Sequence, residues 1–244
     1  MSETKPSVQT TLRIPGAWTH PRELLDHMPD GFRLTNESLV LPDGEEIDLT
    51  LIPRDEQFGA IFSSSCRRPA TDEELAIVGR YTVNIALIGP GGSMAAARAM
   101  MQAGAAIVRA GGAGVFIDNS ALAHGGRDWI EMADDGSADA LSFAFVSIVR
   151  GQRELWTMGM HVLGFPDIIL SRGDDDRETI VELIRYVAAG AKPIGDGHVL
   201  ADKSGMPRFR VTAMSGDERT VGGPRHNPFG RLQLTSVKEI AELN

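Results

Sequence analysis

The stretch from Tyr81 to Ser120 constrains the fold more than any other part of the chain, because glycine turns divide it into two apolar runs and one helical pattern. Val83 to Ile88 ends at the turn Gly89-Pro-Gly-Gly92, and Gly114 to Ile117 is followed by Asp118-Asn119. Both runs have the length and composition of buried strands. The stretch therefore predicts a strand, a helix and a second strand.

The helix between these two strands is predicted from apolar residues that recur at helical spacing: Met94, Ala97, Met101, Ala105 and Val108. Its few polar residues share one narrow stripe, so we expect the helix to be covered on most of its circumference. Gly104 lies in the middle, where glycine costs roughly 1 kcal/mol relative to alanine. We therefore expect the helix backbone at this position to pack closely on a neighbouring element.

The N-terminal part predicts the element order βαββαβ, which matches a ferredoxin-like unit. Its elements are a strand at Val8–Ile14, a helix from Pro21 to Gly31, strands at Phe32–Leu41 and Glu46–Pro53 around Pro42-Asp43-Gly44, a helix at Leu75–Arg80 behind the capping box Thr71–Glu74, and the strand at Val83. The segment from Gln57 to Pro69 is interpreted as holding a further strand.

The C-terminal part predicts mostly antiparallel strands and one secure helix. Its elements are a loop at Ala121–Gly126, a helix at Arg127–Met132, a hairpin of Leu141–Val149 and Glu154–Val162 around Gly151, an extended piece at Pro166–Leu170, a helix over Ile180–Val187 preceded by cap candidates at Asp174–Asp176, a strand at Phe209–Met214 and a last helix capped by Ser236-x-x-Glu239. We therefore expect an α+β fold with a mixed, largely antiparallel sheet and helices packed on it.

Length and composition predict one compact domain over residues 1–244, with any subdivision near 136–140 and a long surface loop at 215–230. The formal net charge of -9 disfavours nucleic acid and anionic membranes as partners. The single cysteine excludes an intramolecular disulfide and a multi-thiolate metal site. No apolar run approaches the roughly 20 residues of a membrane span, so we expect a cytoplasmic protein. The sequence does not fix the oligomeric state.

The turn at Gly89–Gly92 lies between a strand and a helix, where nucleotide phosphates bind in many folds. The match to such a site is incomplete. Met94 stands where a dinucleotide fingerprint needs a third small residue, and no Lys-Ser or Lys-Thr pair follows as in a P-loop. We therefore predict a structural turn, no cofactor and no resident metal.

Two polar clusters follow or belong to predicted strands, and we hypothesise that sheet pairing brings them to one cleft as a binding site. The first cluster is Asp118, Asn119 and His124, and the second is Thr157, His161 and Asp167. These residue types are also common turn and cap formers, so a structural role is the alternative. His161, His198, Asp196 and Asp167 have the ligand chemistry of a zinc or iron site, but their spacing alone does not define one.

From Leu39 to Gly197 the order of motifs resembles bacterial proteins grouped as domain-of-unknown-function family four-two-six-one. The resemblance covers roughly two thirds of the chain and lies in Val83–Ile88, the alanine-rich helix, Ala113–Ser120, Trp156–Met160, Leu163-Gly164-x-x-Asp167-Ile168 and Gly195–Gly197. The segment Thr157–Asp167 is also distantly similar to suppressor-of-fused-like domains, which in bacteria appear as interaction or immunity modules. The resemblance implies no activity for individual residues.

These observations favour a binding or protein-interaction module, immunity-like in class, over an enzyme; the partner is an unknown protein or small molecule. The alternative is a small-molecule or metal-dependent enzyme that uses His124, His161 or His198 with Asp118 or Asp167. An enzyme predicts histidines and carboxylates that converge in one pocket, whereas an interaction module predicts an exposed docking surface.

Overall fold

The structure, a computed structural model, describes residues 7–172, 176–190, 193–201, 204–215 and 226–237. Within these ranges the strands are β1 Gln9–Gly16, β2 Arg33–Leu34, β3 Ser38–Val40, β4 Glu46–Ile52, β5 Val83–Pro90, β6 Gly114–Ile117, β7 Leu122–Gly125, β8 Ser147–Arg150, β9 Glu154–Met158, β10 Asp167–Ser171, β11 Val199–Ala201, β12 Pro207–Met214 and β13 Arg231–Ser236. The helices are α1 Pro21–Asp26, α2 Phe58–Ser65, α3 Asp72–Arg80, α4 Met94–Arg109, α5 Gly126–Asp135, α6 Ala138–Phe145 and α7 Asp176–Ala188, with a 3-10 helix at Met160–Leu163.

The first sheet has the strand order β2-β3-β4-β5-β1-β6-β7 and is antiparallel throughout. The predicted strand-helix-strand of β5, α4 and β6 is present, but its two strands are not neighbours because β1 lies between them. The order β4-β5-β1-β6 is that of a ferredoxin-like unit. The predicted unit ends at β5. The observed unit also includes α4 and β6, and β6 is its last strand.

The second sheet has the order β11-β12-β13-β10-β9-β8 and is mixed, because β10 and β13 run parallel while the other pairs are antiparallel. The predicted hairpin around Gly151 is its β8-β9 edge. Two sheets with helices packed on them confirm the predicted α+β class. One cluster of buried apolar side chains includes residues of both sheets, from Leu12 in β1 to Leu234 in β13.

The helix α4 is buried along most of its length, as its composition predicts. Gly104 faces Leu12 of β1 and Trp129 of α5, and a Cβ there would lie 2.9 Å from Trp129 Nε1. The indole Nε1–H donates to the carbonyl of Met101, one turn earlier in α4, at 3.1 Å. The glycine is therefore needed for the close approach of α5 to α4.

Four local predictions are wrong. The segment 57–69 contains α2 in place of a strand, because Phe58 and Phe62 at helical spacing bury the same face. Residues 122–125 form β7 in place of a loop, after a tight turn in which Ala121 has φ 51.

The other two errors fall in the predicted hairpin. Residues 138–145 form α6, and the side chain of its N-cap residue Ser137 accepts the N–H of Ala140. The prediction is wrong here because a short apolar run fits a strand and a buried helix equally well. Residues 160–163 form the 3-10 helix between the left-handed residues Gly159 and Gly164.

Other predicted elements are confirmed, including the capping box at Thr71 and Glu74, the hairpin of β3 and β4, and the helices α5 and α7. The strands β11 and β13 were not predicted. Residues 174–175, 216–225 and 238–239, which carry parts of the predicted cap, surface loop and last helix, lie outside the described residues. Within the described ranges, no helix combines the length and hydrophobicity that crossing a membrane requires.

Replacing Gly104 with alanine should lower the free energy of unfolding by about 1–3 kcal/mol, because overpacking outweighs the gain in helix propensity. Gly79 is the matched control. It lies in α3 with no atom within 4 Å of its missing Cβ, so Gly79→Ala should stabilise by about 0.4–1 kcal/mol. Urea unfolding of both variants tests the contrast, and equal effects would contradict close packing at Gly104.

Candidate functional site

Asp118 follows β6, and its carboxylate pairs with Arg13 of β1, which donates from Nη2 at 2.8 Å. In β1 the side chain of Arg13 alternates with those of Leu12 and Ile14, which point into the core beneath α4. Asp118 therefore lies on the face of the first sheet that is turned away from α4. Its partly exposed ion pair explains its position without a ligand.

Asn119 and His161 are the members of the two predicted clusters that the structure brings together. Asn119 Oδ1 accepts the N–H of Thr11 at 3.0 Å, and Asn119 Nδ2 donates to the carbonyl of Gln9 at 2.9 Å. Nδ2 also lies 3.2 Å from His161 Nε2. Since an amide nitrogen only donates, Nε2 accepts and the ring proton resides on Nδ1. Burial lowers the pKa of His161 to about 4, so the ring is neutral near pH 7.

Thr157 and Asp167 form a second buried pair next to the 3-10 helix. Thr157 Oγ1 donates to Asp167 Oδ1 at 3.0 Å and accepts the N–H of Ile168 at 2.8 Å. Asn227 Nδ2 donates to the other carboxylate oxygen at 2.9 Å. Burial raises the pKa of Asp167 to about 6, although the bonds from Asn227 and Thr157 favour the charged form. The network joins β9, β10 and the segment before β13.

His124 lies in β7 and is fully buried, away from the other predicted site residues. Its Nε2–H donates to the carbonyl of Ala144, near the C-terminal end of α6, at 3.0 Å. Burial lowers the pKa of His124 to about 3, so the ring stays neutral. The histidine acts as a hydrogen-bond donor to α6 and has no access to a ligand.

His198 and Asp196, two members of the predicted zinc or iron ligand set, make local hydrogen bonds to backbone N–H groups. His198 Nδ1 accepts the N–H of Gly195 at 3.2 Å, and Asp196 accepts the N–H of Ala213 at 2.9 Å. Both interactions belong to the loop before β11 and to β12. In the described part of the chain, no group of three or more His, Cys, Asp or Glu side chains is arranged to hold a metal ion.

The amide groups of the Gly89–Gly92 turn are already bonded within the protein. Gly91 N–H donates to the carbonyl of Val8 at 2.8 Å, and Gly92 N–H donates to that of Val162 at 3.0 Å. Gly164 packs against the turn, where a Cβ would lie 2.5 Å from the Gly92 oxygen. The turn therefore joins the first sheet to the 3-10 helix instead of presenting amides to a phosphate.

One cleft has no counterpart among the predicted sites. We name it the basic cleft, and its volume is roughly 550 Å³. Five arginines line it: Arg67, Arg68, Arg150, Arg177 and Arg185. Asp139 is the acidic residue among its lining residues. The arginines come from the segment after α2, from β8 and from α7. The spacing of Arg177 and Arg185, two helical turns apart, is the one signal in the sequence that places two of them on a shared face.

Arg67 is held in place by the C-terminal end of α6. Its Nη1 donates to the carbonyl of Phe143 at 2.7 Å, and its Nη2 donates to that of Val146. The guanidinium carbons of Arg67 and Arg68 lie 4.6 and 4.9 Å from the centre of the Phe143 ring. Burial, and then the nearby charges of Arg177 and Arg68, lower the pKa of Arg67 to about 10. Arg67 remains a cation that is fixed beside two others.

Two of the other arginines form ion pairs with acidic side chains. Arg185 Nε lies 3.6 Å from Asp139 Oδ2, and Arg150 Nη2 lies 3.6 Å from Asp176 Oδ2. Arg68 and Arg177 form no ion pair and donate no hydrogen bond to any side chain or carbonyl within the described ranges. Among the described residues, the arginines of the cleft therefore outnumber the acidic side chains that pair with them.

No protein-family model matches the chain, and neither curated proteins nor solved structures show significant similarity to it.

The raised pKa of Asp167 predicts a specific pH dependence. An acid with a higher pKa in the folded protein binds more protons when folded, so its contribution to stability falls as the pH rises from about 4 to 6. Because the pKa rises from 3.8 to about 6 on folding, the free energy of unfolding loses up to about 3 kcal/mol. We therefore compare the free energies of unfolding of wild type and Asp167→Asn. The difference, wild type minus variant, should decrease by this amount between pH 4 and 7.

The measurement is chemical unfolding of both proteins across this pH range. Asp30→Asn, which removes an exposed carboxyl group, corrects for the change in net charge. Parallel pH profiles for wild type and Asp167→Asn would show that burial does not perturb this group.

Proposed function

We propose that the protein is a binding module that captures an anionic group of its ligand in the basic cleft. The observation that carries the proposal is the concentration of five arginines around one cleft in a chain whose net charge is -9. Proteins commonly recognise carboxylates and phosphates with arginines, because each guanidinium presents a planar fork of donors.

The local charge, and not the net charge, decides binding in such a cleft. Exposed charges farther away than a Debye length, about 8 Å at physiological ionic strength, are largely screened. The acidic remainder of the surface therefore weakens long-range attraction but leaves the interactions inside the cleft. Its negative charge still disfavours extended polyanions, which would contact that surface as well.

The resemblance of Thr157–Asp167 to suppressor-of-fused-like domains supports the same general class, a binding or immunity-like interaction module. The resemblance to family four-two-six-one implies no activity. The enzyme alternative has one favourable feature, the raised pKa of Asp167. Both oxygens of that carboxylate accept hydrogen bonds from Thr157 and Asn227 inside the protein, which argues for a structural role. We therefore assign binding to the basic cleft and structural roles to the buried polar groups.

The test is a thermal-shift series with citrate, inorganic phosphate and pyrophosphate as probes. A probe present at 100 times its dissociation constant should stabilise wild type by about 2.7 kcal/mol, which for a chain of this length raises the melting temperature by roughly 5 to 11 °C. The double variant Arg68→Gln/Arg177→Gln should lose most of this shift. Raising the salt concentration from about 0.05 to about 0.3 M should also reduce the shift, because the attraction is electrostatic.

The matched control is Arg33→Gln/Arg210→Gln, which removes two exposed arginines outside the cleft. It should retain the wild-type shift. The proposal fails if the three probes leave wild type unchanged, or if the cleft variant and the control respond alike.

A further inference from the structure

The lining of the basic cleft is partly cationic and partly apolar, and both parts constrain the kind of ligand that fits it. Beside the arginines, its lining includes the apolar side chains Phe143, Ile148, Leu155, Val181 and Ile184. They belong to α6, to β8 and β9, and to α7. A ligand that fills the cleft therefore meets cations on one part of its surface and hydrocarbon on another. An inorganic anion alone would leave the apolar wall unused.

The charge left after internal pairing indicates the charge of the ligand. Asp139 and Asp176 lie near Arg185 and Arg150, which leaves Arg67, Arg68 and Arg177 without an acidic partner among the described residues. One carboxylate would offset a single cation of these three. A phosphate monoester carries about -1.5 to -2 charges at pH 7 and three acceptor oxygens, so it offsets more of the mutual repulsion.

The geometry of the three arginines divides their roles. The Nη atoms of Arg67 donate to the carbonyls of Phe143 and Val146, so this guanidinium supplies a fixed charge and few free donors. Arg68 and Arg177 keep their forks of donors for a ligand. Bidentate contacts from such forks suit the oxygens of a phosphoryl group. Arg67 therefore supplies fixed charge, while the guanidinium groups of Arg68 and Arg177 have no hydrogen-bond acceptor among the described residues.

The size of the cleft favours a small molecule. Pockets for small ligands usually measure about 300–1,000 Å³, and the basic cleft measures roughly 550 Å³. We propose that the basic cleft binds a small phosphate monoester, with the phosphoryl group on Arg68 and Arg177 and the organic part against the apolar wall. This inference rests on the proposed function and specifies the chemical class of its ligand.

The experiment is titration calorimetry with four probes: phenyl phosphate, inorganic phosphate, benzoate and citrate. Phenyl phosphate should bind wild type at least about tenfold more tightly than benzoate or inorganic phosphate, which corresponds to about 1.4 kcal/mol. Arg68→Gln and Arg177→Gln should each lose about tenfold in affinity for phenyl phosphate. Ile148→Ala should weaken phenyl phosphate and leave inorganic phosphate unchanged, because it alters the apolar wall alone.

Arg177→Lys keeps the positive charge but removes the planar fork of donors. A partial loss of affinity for phenyl phosphate supports bidentate contact, and an unchanged affinity contradicts it. Arg33→Gln should behave as wild type. Tighter binding of citrate or benzoate than of phenyl phosphate would overturn the phosphate assignment while the anion-binding function stands. Equal affinity for phenyl and inorganic phosphate would overturn the role of the apolar wall. Failure of all four probes would overturn both the inference and the proposed function.

Discussion

The C-terminal end of α6 depends on donors from distant parts of the chain. The last carbonyls of a helix have no partner within it, and here the carbonyl of Phe143 accepts from Arg67 while that of Ala144 accepts from His124. Arg67 also reaches the carbonyl of Val146, just beyond the helix. These bonds fix α6 against β7 and the end of α2. They also hold Phe143 beneath two guanidinium groups, so the same interaction that secures the helix builds one wall of the basic cleft.

Polar residues near the 3-10 helix follow a similar logic, and of these Thr157 and Asp167 are buried. Asn119 bonds to β1 and to His161, and Asp167 bonds to Thr157 and Asn227, so each of these pairs joins separate segments of the chain. Such networks stabilise a fold when their members are satisfied, and removing one partner leaves the other buried and unpaired. Their perturbed pKa values follow from burial within the scaffold.

The sequence was most informative where structure is local. Glycine turns and helical spacing predicted β5, α4 and β6, and the capping box predicted α3, because these patterns act within a few residues. The insertion of β1 between β5 and β6 is set by long-range pairing and could not be predicted. The apolar run from Leu141 predicts a strand but begins within α6, because nothing local distinguishes a buried strand from a buried helix. The basic cleft was missed because its arginines come from three separate segments, and only folding brings them together.

Crystals grown with tungstate test whether the basic cleft is an anion site. Tungstate is a tetrahedral dianion, and its anomalous scattering identifies the ion independently of its surroundings. We expect an anomalous peak beside the guanidinium groups of Arg68 and Arg177, with tungstate oxygens about 2.7–3.2 Å from their nitrogens. Crystals of Arg68→Gln/Arg177→Gln should show no peak there. Tungstate bound elsewhere on the wild-type surface, with the cleft free of it, would contradict the claim.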